Sequence, residues 1–310
     1  MNVKSLLEPG LIGRLEGYRL ARRRPVPGRY AGARRSPQKG GAVEFSDYRE
    51  YTAGDDPRRV DWKAYARLGR LYVKEYLDDR RDSVLFIIDT SASMDWGAGE
   101  DHKGRCAMRL AAGLAACALS GSDRLAVVAG SGRSGPDREA DQKSWSIRIV
   151  PPQEGRHSLP GLWKWLGGVS FGGGTDLAGC LKVGLQAAPG TSSLYVLSDL
   201  LDPGGVEDLL RTAAGRGIEA TLLQVLAPGE LDPAGGGEWT VVDLETAERV
   251  EVSLTPGALL DYKKRLGELF RQIDHSCRRW GARRLLINSG DPLDETLLRS
   301  LPRQGVLKSC

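Results

Sequence analysis

Short apolar runs that alternate with helical patterns are the feature that most constrains how this chain can fold. From residue 83 onward, the runs SVLFIID (83–89), RLAVVAG (124–130) and SLYVLS (193–198) are separated by stretches rich in Ala and Leu. Runs of this length with few polar positions predict strands buried on both faces, as in parallel sheets covered by helices. We therefore predict an α/β fold with a doubly wound, mostly parallel sheet of the Rossmann type.

The same alternation continues toward the carboxyl terminus. Two neighbouring runs at 239–243 and 249–254 predict a small β-hairpin inserted before a long helix. The other predicted strands are 145–150, 218–226 and 284–288, and the predicted helices lie near 104–120, 158–167, 176–188, 204–215, 256–280 and 293–301.

Composition divides the chain into three segments: a basic N-terminal arm (1–39), a segment dense in charged and aromatic residues (40–80), and the α/β segment (81–302). Residues 1–40 contain ten Lys and Arg and two Glu, a net charge of +8. The whole chain carries +4, so the remainder carries 4 − 8 = −4. Such an arm can bind nucleic acid or an acidic protein, or can simply be solvated. Nucleic acid is the less favoured partner, because no aromatic residues are interleaved with the arginines.

The segment 40–80 has its own turn and helix signals. Asp56 followed by Pro57 predicts a helix start, with Asp56 as the N-cap. We expect this helix to reach about Arg67 and a strand to follow near 70–77.

The chain shows no feature of a membrane or exported protein. No apolar run approaches the roughly 18–20 residues that span a bilayer, and the first residues lack the pattern of a secretory signal. The five cysteines stand far apart without a CxxC pair, which favours reduced thiols over disulfides or a zinc site. We expect a cytoplasmic protein.

Oxygen-bearing side chains lie where three loops should meet. Asp89, Ser91 and Ser93 end the first strand of the α/β segment, Thr175 follows three glycines before a helix, and Asp199 follows the strand SLYVLS. Ligands of open α/β sheets bind beyond the carboxyl ends of the strands. Carboxylates and hydroxyls are hard donors that suit Mg²⁺ or Mn²⁺. The pattern predicts a divalent-metal site, although each residue alone would also suit a turn or a helix cap.

Other chemistries fit these loops less well. No Lys follows the three glycines, as a phosphate-binding loop requires. Position 91 is Ser where a phosphatase of the D-x-D type has a second carboxylate, and no His can be placed beside it to activate the hydroxyl. A metal-dependent hydrolase that uses the same site is the alternative, but it has no evident general base.

Two patterns resemble known families. The D-x-S-x-S motif, the Thr after glycines and the later Asp resemble the metal-ion-dependent adhesion site of von Willebrand factor A (vWA) domains. The segment 40–80 resembles the signature that precedes this domain in the family called domain of unknown function 58 (DUF58). The matching signature residues are Glu44, Phe45, Arg49, Tyr51, Gly54, Asp55, Asp56, Arg58, Asp61, Trp62 and Arg67.

The resemblance implies a vWA-like fold without enzymatic activity. It implies that Mg²⁺ or Mn²⁺ binds through Asp89, Ser91, Ser93, Thr175 and Asp199, and that the metal captures an acidic side chain of a partner protein. It also implies an association with a MoxR-type AAA+ ATPase in protein remodelling or maturation.

Overall fold

In a computed structural model of the chain, we describe residues 6–21, 44–52, 60–77, 82–132, 146–233, 237–242 and 249–310. The chain divides into two compact units. The larger comprises residues 1–23 and 82–310, and the smaller comprises residues 24–81.

Strands and helices are numbered in chain order through the described residues. The strands are β1 (Tyr18–Leu20), β2 (Glu44–Glu50), β3 (Tyr72–Leu77), β4 (Ser83–Asp89), β5 (Arg124–Gly130), β6 (Ile147–Gln153), β7 (Ser193–Ser198), β8 (Glu219–Leu226), β9 (Gly237–Val242), β10 (Arg249–Leu254), β11 (Arg283–Asn288) and β12 (Leu307–Ser309). The helices are α1 (Pro9–Leu15), α2 (Trp62–Leu68), α3 (Lys103–Ser120), α4 (Leu159–Leu166), α5 (Leu177–Ala187), α6 (Pro203–Gly215), α7 (Pro228–Leu231), α8 (Pro256–Trp280), α9 (Leu293–Glu295) and α10 (Leu301–Arg303). A π-helical turn (Thr296–Ser300) joins α9 to α10, so the predicted helix at 293–301 is a composite.

The main sheet of the larger unit contains six strands in the order β11-β8-β7-β4-β5-β6. Neighbouring strands are parallel except β5 and β6, which are antiparallel. The chain enters at β4, adds β5 and β6 on one side, and then adds β7, β8 and β11 on the other. The direction of winding therefore reverses beside β4. The predicted doubly wound, mostly parallel α/β sheet is confirmed.

Two hydrophobic cores cover the faces of this sheet. Val84, Phe86 and Ile88 of β4 belong to one core, which includes side chains of α3 and α4. Leu85 and Ile87 belong to the other, which includes side chains of α5, α6 and α8. Alternate residues of a strand point to opposite faces, so a strand buried on both must be apolar throughout. This explains the uninterrupted apolar run that leads to Asp89.

Part of the basic arm is folded into the larger unit. Leu11 and Leu15 share one face of α1, and both are buried with Leu7, which precedes the helix, in the core that contains α3. β1 pairs with β12 in antiparallel register. The sequence analysis assigned residues 6–21 to the arm and ended the α/β segment at 302, but residues 6–21 and 307–309 form elements of the larger unit. Residues 22–43 lie outside the described part of the chain.

The smaller unit is built on the antiparallel pair β2 and β3, with α2 between them in sequence. α2 begins at Trp62, because Asp61 Oδ1 accepts hydrogen bonds from the backbone N–H groups of Lys63 (2.8 Å) and Ala64 (3.2 Å). It ends at Gly69, which adopts a left-handed conformation with φ of 67°. The prediction of one continuous helix from Pro57 to about Arg67 is therefore wrong, because α2 begins at Trp62. The signature residues Gly54, Asp55, Asp56 and Arg58 lie outside the described residues.

Within the described residues, no helix has both the length and the apolar character needed to cross a bilayer. The longest, α8, has 25 residues and carries charged side chains along its length.

Candidate functional site

The carboxyl ends of β4 and β7 place two acidic residues side by side. The two strands are parallel neighbours, with Ile88 paired to Leu197. Asp89 is the last residue of β4, and Asp199 directly follows β7. Both residues have no exposed surface. The site thus lies beside β4, at the position where the winding of the sheet reverses.

Hydrogen bonds fix the orientation of the Asp89 carboxylate. Its Oδ1 accepts from the backbone N–H of Ser91 at 2.9 Å, and its Oδ2 accepts from Ser198 Oγ at 2.6 Å. Ser198 Oγ in turn accepts from the backbone N–H of Leu200 at 3.0 Å. Leu200 has a φ of 56°, which is unusual for a residue other than glycine. Through Ser198 Oγ, these hydrogen bonds connect the turn after β7 to the Asp89 carboxylate and fix its conformation.

Hydroxyl groups line the same edge of the sheet. Ser91 Oγ and Ser93 Oγ lie 3.0 Å apart, on the turn that follows β4. Ala92 N donates to Gly173 O at 2.8 Å. This hydrogen bond joins that turn to the loop of three glycines at 172–174, called the glycine loop below. Gly173 has a φ of 81°, a conformation that favours glycine, so the loop depends on this residue.

The glycine loop carries the remaining predicted ligand. Thr175 is half-buried and lies two residues after Gly173, just before the N-cap of α5. The structure thus brings Asp89, Ser91, Ser93 and Asp199 to the carboxyl ends of β4 and β7. It places Thr175 on the loop that contacts the turn after β4.

A buried lysine lies against Asp199 and was missed by the sequence analysis. Lys103 Nζ donates to Asp199 Oδ2 and to Glu230 Oε1, both at 2.8 Å. Glu230 is anchored through Oε2, which accepts from the backbone N–H of Ala227 at 2.9 Å. Asp199 Oδ1 is also buried, yet it has no hydrogen-bond partner among the residues that the structure describes. Such an atom is costly to bury unless it is coordinated.

The negative charge of Asp199 destabilises the charged form of the buried Asp89. Burial, and in addition the negative charge of Asp199, raise the pKa of Asp89 from 3.8 to about 6. The hydrogen bonds from Ser198 and Ser91 lower this pKa, but they offset only part of the rise. A cation bound between the two carboxylates would remove this repulsion.

These residues fit a hard divalent cation. Two carboxylates and a set of hydroxyls are the donors that Mg²⁺ and Mn²⁺ accept, with water completing the coordination. Asp199 Oδ1 supplies a buried ligand atom that accepts no hydrogen bond from the described residues. Among the described residues, no group of three or more His, Cys, Asp or Glu could hold a metal, so a site at this edge would depend on the hydroxyls.

Other acidic residues near these loops have local roles. Asp176 caps α5 by accepting from Gly179 N at 2.8 Å, and Asp202 caps α6 by accepting from Gly204 N at 3.0 Å. Asp95 Oδ1 lies 3.0 Å from His102 Nε2.

Comparison with known families identifies the chain. The profile of the family described as "Protein of unknown function DUF58" matches residues 47–265, which is more than half of the chain. The chain belongs to the DUF58 family. The match runs from β2 of the smaller unit into α8 of the larger one.

Similar proteins include other members without an assigned function. This DUF58 protein is 24% identical over 278 residues to the uncharacterized proteins Rv1480 of Mycobacterium tuberculosis and Mb1516 of Mycobacterium bovis, covering 89% of this chain and 84% of each relative. Among solved structures, a conserved hypothetical protein, BatB from Bacteroides thetaiotaomicron, aligns with a TM-score of 0.41 and 13% identity over 72% of this chain and 98% of BatB.

Proposed function

We propose that this DUF58 protein is a non-enzymatic binding protein with a vWA-like metal site. Mg²⁺ or Mn²⁺ would be held by Asp89, Ser91, Ser93, Thr175 and Asp199. The observation that carries the proposal is the buried carboxylate pair, in which Asp199 Oδ1 has no partner among the described residues. A fold retains two adjacent buried acids of this kind only at a cost, and a bound cation would offset that cost.

The metal would serve to capture an acidic side chain. An ion held by few protein ligands keeps coordinated water, and the carboxylate of a partner can replace that water. The partner side chain would therefore be Asp or Glu. The family resemblance indicates a MoxR-type AAA+ ATPase as one partner, within a system that remodels or matures other proteins.

The hydrolase alternative is supported less well by the contacts at the site. Ser91 Oγ contacts Ser93 Oγ, a group that cannot act as a strong base. His102 is engaged through both ring nitrogens, since Nδ1 accepts from Arg105 N and Nε2 lies beside Asp95. We expect no metal-dependent turnover of phosphate esters or peptides. Turnover that is lost in Asp199→Ala would favour the hydrolase.

Thermal unfolding in the presence of metal tests the proposal. A ligand that binds only the folded state stabilises it by about 2.7 kcal/mol at a hundred times its Kd. We expect millimolar Mg²⁺ or Mn²⁺ to raise Tm by several degrees relative to EDTA, and Asp89→Ala to abolish this rise while the circular dichroism spectrum stays that of a folded protein.

Asp202→Asn is the matched control. It changes an exposed acidic residue on the same loop as Asp199, and Asn can still cap α6. The metal response of this variant should equal that of the wild type. A wild-type Tm that is the same in metal and in EDTA would contradict the proposal.

A further inference from the structure

Lys103 is a buried cation next to the proposed metal site. Its side chain is 1% exposed, and it lies at the first position of α3. Moving an ammonium group out of water costs several kcal/mol unless it is well paired. Lys103 meets this requirement through Asp199 and Glu230, so its position depends on a carboxylate that is also a proposed metal ligand.

The two oxygens of Asp199 have different environments. Oδ2 accepts from Lys103 Nζ at 2.8 Å, whereas Oδ1 has no partner among the described residues. A metal bound at Oδ1 would therefore share the Asp199 carboxylate with the ammonium group. Two positive charges on one carboxylate repel each other, and in a buried site this repulsion is weakly screened.

We infer that Lys103 sets the affinity and the net charge of the metal site. This inference rests on the proposed function, because it takes Asp89 and Asp199 to be metal ligands. The two carboxylates alone would neutralise a divalent ion. With Lys103 on Asp199, the ion is held less tightly, and the ion with Asp89, Asp199 and Lys103 sums to +1. Glu230, on the other side of Lys103, offsets this charge from a greater distance, so the ion still attracts the carboxylate of a partner.

Glu230 partly neutralises the charge of Lys103 and so reduces its repulsion of the metal. Its Oε1 pairs with the same ammonium group, and its side chain is 20% exposed. Removing the negative charge of Glu230 leaves the charge of Lys103 less compensated, so metal binding should weaken. Removing the positive charge of Lys103 should have the opposite effect.

Mn²⁺ affinity of a charge series tests the inference. Isothermal titration with Mn²⁺ alone would be carried out at pH 7 on the wild type, Lys103→Met and Glu230→Gln. We expect Lys103→Met to bind about tenfold more tightly or better, and Glu230→Gln to bind several-fold more weakly, since one unit charge near a buried ion changes its energy by more than 1 kcal/mol. Lys182→Met, which removes an exposed lysine of α5, should not change the affinity.

The direction of the changes separates an electrostatic role from a structural one. If Lys103 only held Asp199 in place, Lys103→Met would weaken Mn²⁺ binding, and that result would overturn the inference. Should Lys103→Met fail to fold, Glu230→Gln decides alone: an affinity equal to or above that of the wild type would contradict the inference.

Mn²⁺ binding by the wild type tests the proposed function, and the differences among the variants test the inference. Mn²⁺ binding by the wild type with equal affinities in all variants would leave the proposed function standing and remove the inference. If no protein of the series binds Mn²⁺, both are wrong. If only Lys103→Met binds Mn²⁺, the inference that Lys103 weakens metal binding is supported, and the proposed function of the wild type is contradicted.

Discussion

At the scale of single residues, Asp89 is a proposed metal ligand whose buried charge lowers the stability of the metal-free fold. The side chain is fully buried, and its negative charge faces that of Asp199. Its pKa in the folded protein is about 6, above the 3.8 of an unperturbed Asp, so near neutral pH the charged form disfavours folding. A binding residue that costs stability is common where function requires buried charge.

Asp89→Asn should stabilise the metal-free protein. The amide removes the buried charge, its oxygen can still accept from Ser91 N, and its NH₂ group can donate to Ser198 Oγ. The raised pKa corresponds to at most about 3 kcal/mol, at roughly 1.4 kcal/mol per pKa unit. We expect urea unfolding in EDTA at pH 7 to show a gain of about 1–3 kcal/mol. A loss of stability would indicate that burial of this charge is already compensated by other groups.

The contacts of Lys103 show where sequence reasoning ends at this scale. Four of the five predicted ligands follow apolar strands, and the topology of an α/β sheet brings strand ends together. The fifth, Thr175, was predicted from its place after three glycines and before a helix. Lys103 carries no such signal. It lies 96 residues from Asp199 and 127 from Glu230, so no local sequence pattern links it to either carboxylate. Only the packing of α3 against the sheet edge reveals its partners.

At the scale of elements, α3 is the most constrained helix of the larger unit. Residues around its whole circumference are buried, including Gly113 in its middle. A Cβ placed on Gly113 would lie 2.6 Å from Leu297 Cδ1, which is closer than carbon atoms can approach. The glycine therefore allows the π-helical turn at Thr296–Ser300 to pack directly on α3.

Gly113→Ala should destabilise the protein through this contact. Alanine favours a helix by about 1 kcal/mol over glycine, but overpacking of a core costs about 1–3 kcal/mol. We expect a net loss of up to about 2 kcal/mol in urea unfolding. In a double-mutant cycle, Gly113→Ala should cost less in the Leu297→Ala background, because the shorter side chain removes the clash. Additive effects would show that the strain lies elsewhere.

Elements were predicted well where the hydrophobic period was unambiguous. The strands at 83–89, 124–130 and 193–198 and the helix at 256–280 have their predicted bounds, since each is set by a continuous apolar run or by strong caps. Two predictions failed for physical reasons. In α1, the positive charges of the arm obscured the i, i+4 spacing of Leu11 and Leu15. In α2, Asp56-Pro57 is a good helix start, but Asp61 forms the cap that the structure uses.

At the scale of the whole molecule, the DUF58 profile matches residues of both compact units. It extends over residues 47–265 and so includes the β2–β3 pair, α2 and most of the α/β unit. α2 leaves Trp62, Tyr65 and Leu68 exposed by 61%, 45% and 64%. These residues are spaced three apart on one helix, and exposed Trp and Tyr are frequent at protein interfaces. The molecule therefore has two candidate contact regions, the proposed metal site and this face of α2.

The final prediction distinguishes these two regions by their dependence on metal. If the proposed site captures a partner carboxylate, binding of a MoxR-type ATPase from the same organism should require Mg²⁺ and be lost in EDTA. Thr175→Ala should weaken it, because the hydroxyl is a proposed ligand that shapes the site without adding charge. The measurement is the Kd by biolayer interferometry for the wild type and Thr175→Ala, each with Mg²⁺ and with EDTA.

Trp62→Ala is the informative companion variant. Under the proposed function it changes the Kd little, since the bond to the metal dominates the contact. Equal affinities in the four conditions, together with a large loss in Trp62→Ala, would show that the ATPase binds through α2. The metal at Asp89 and Asp199 would then stabilise the fold by relieving the repulsion between two buried carboxylates, without taking part in recognition.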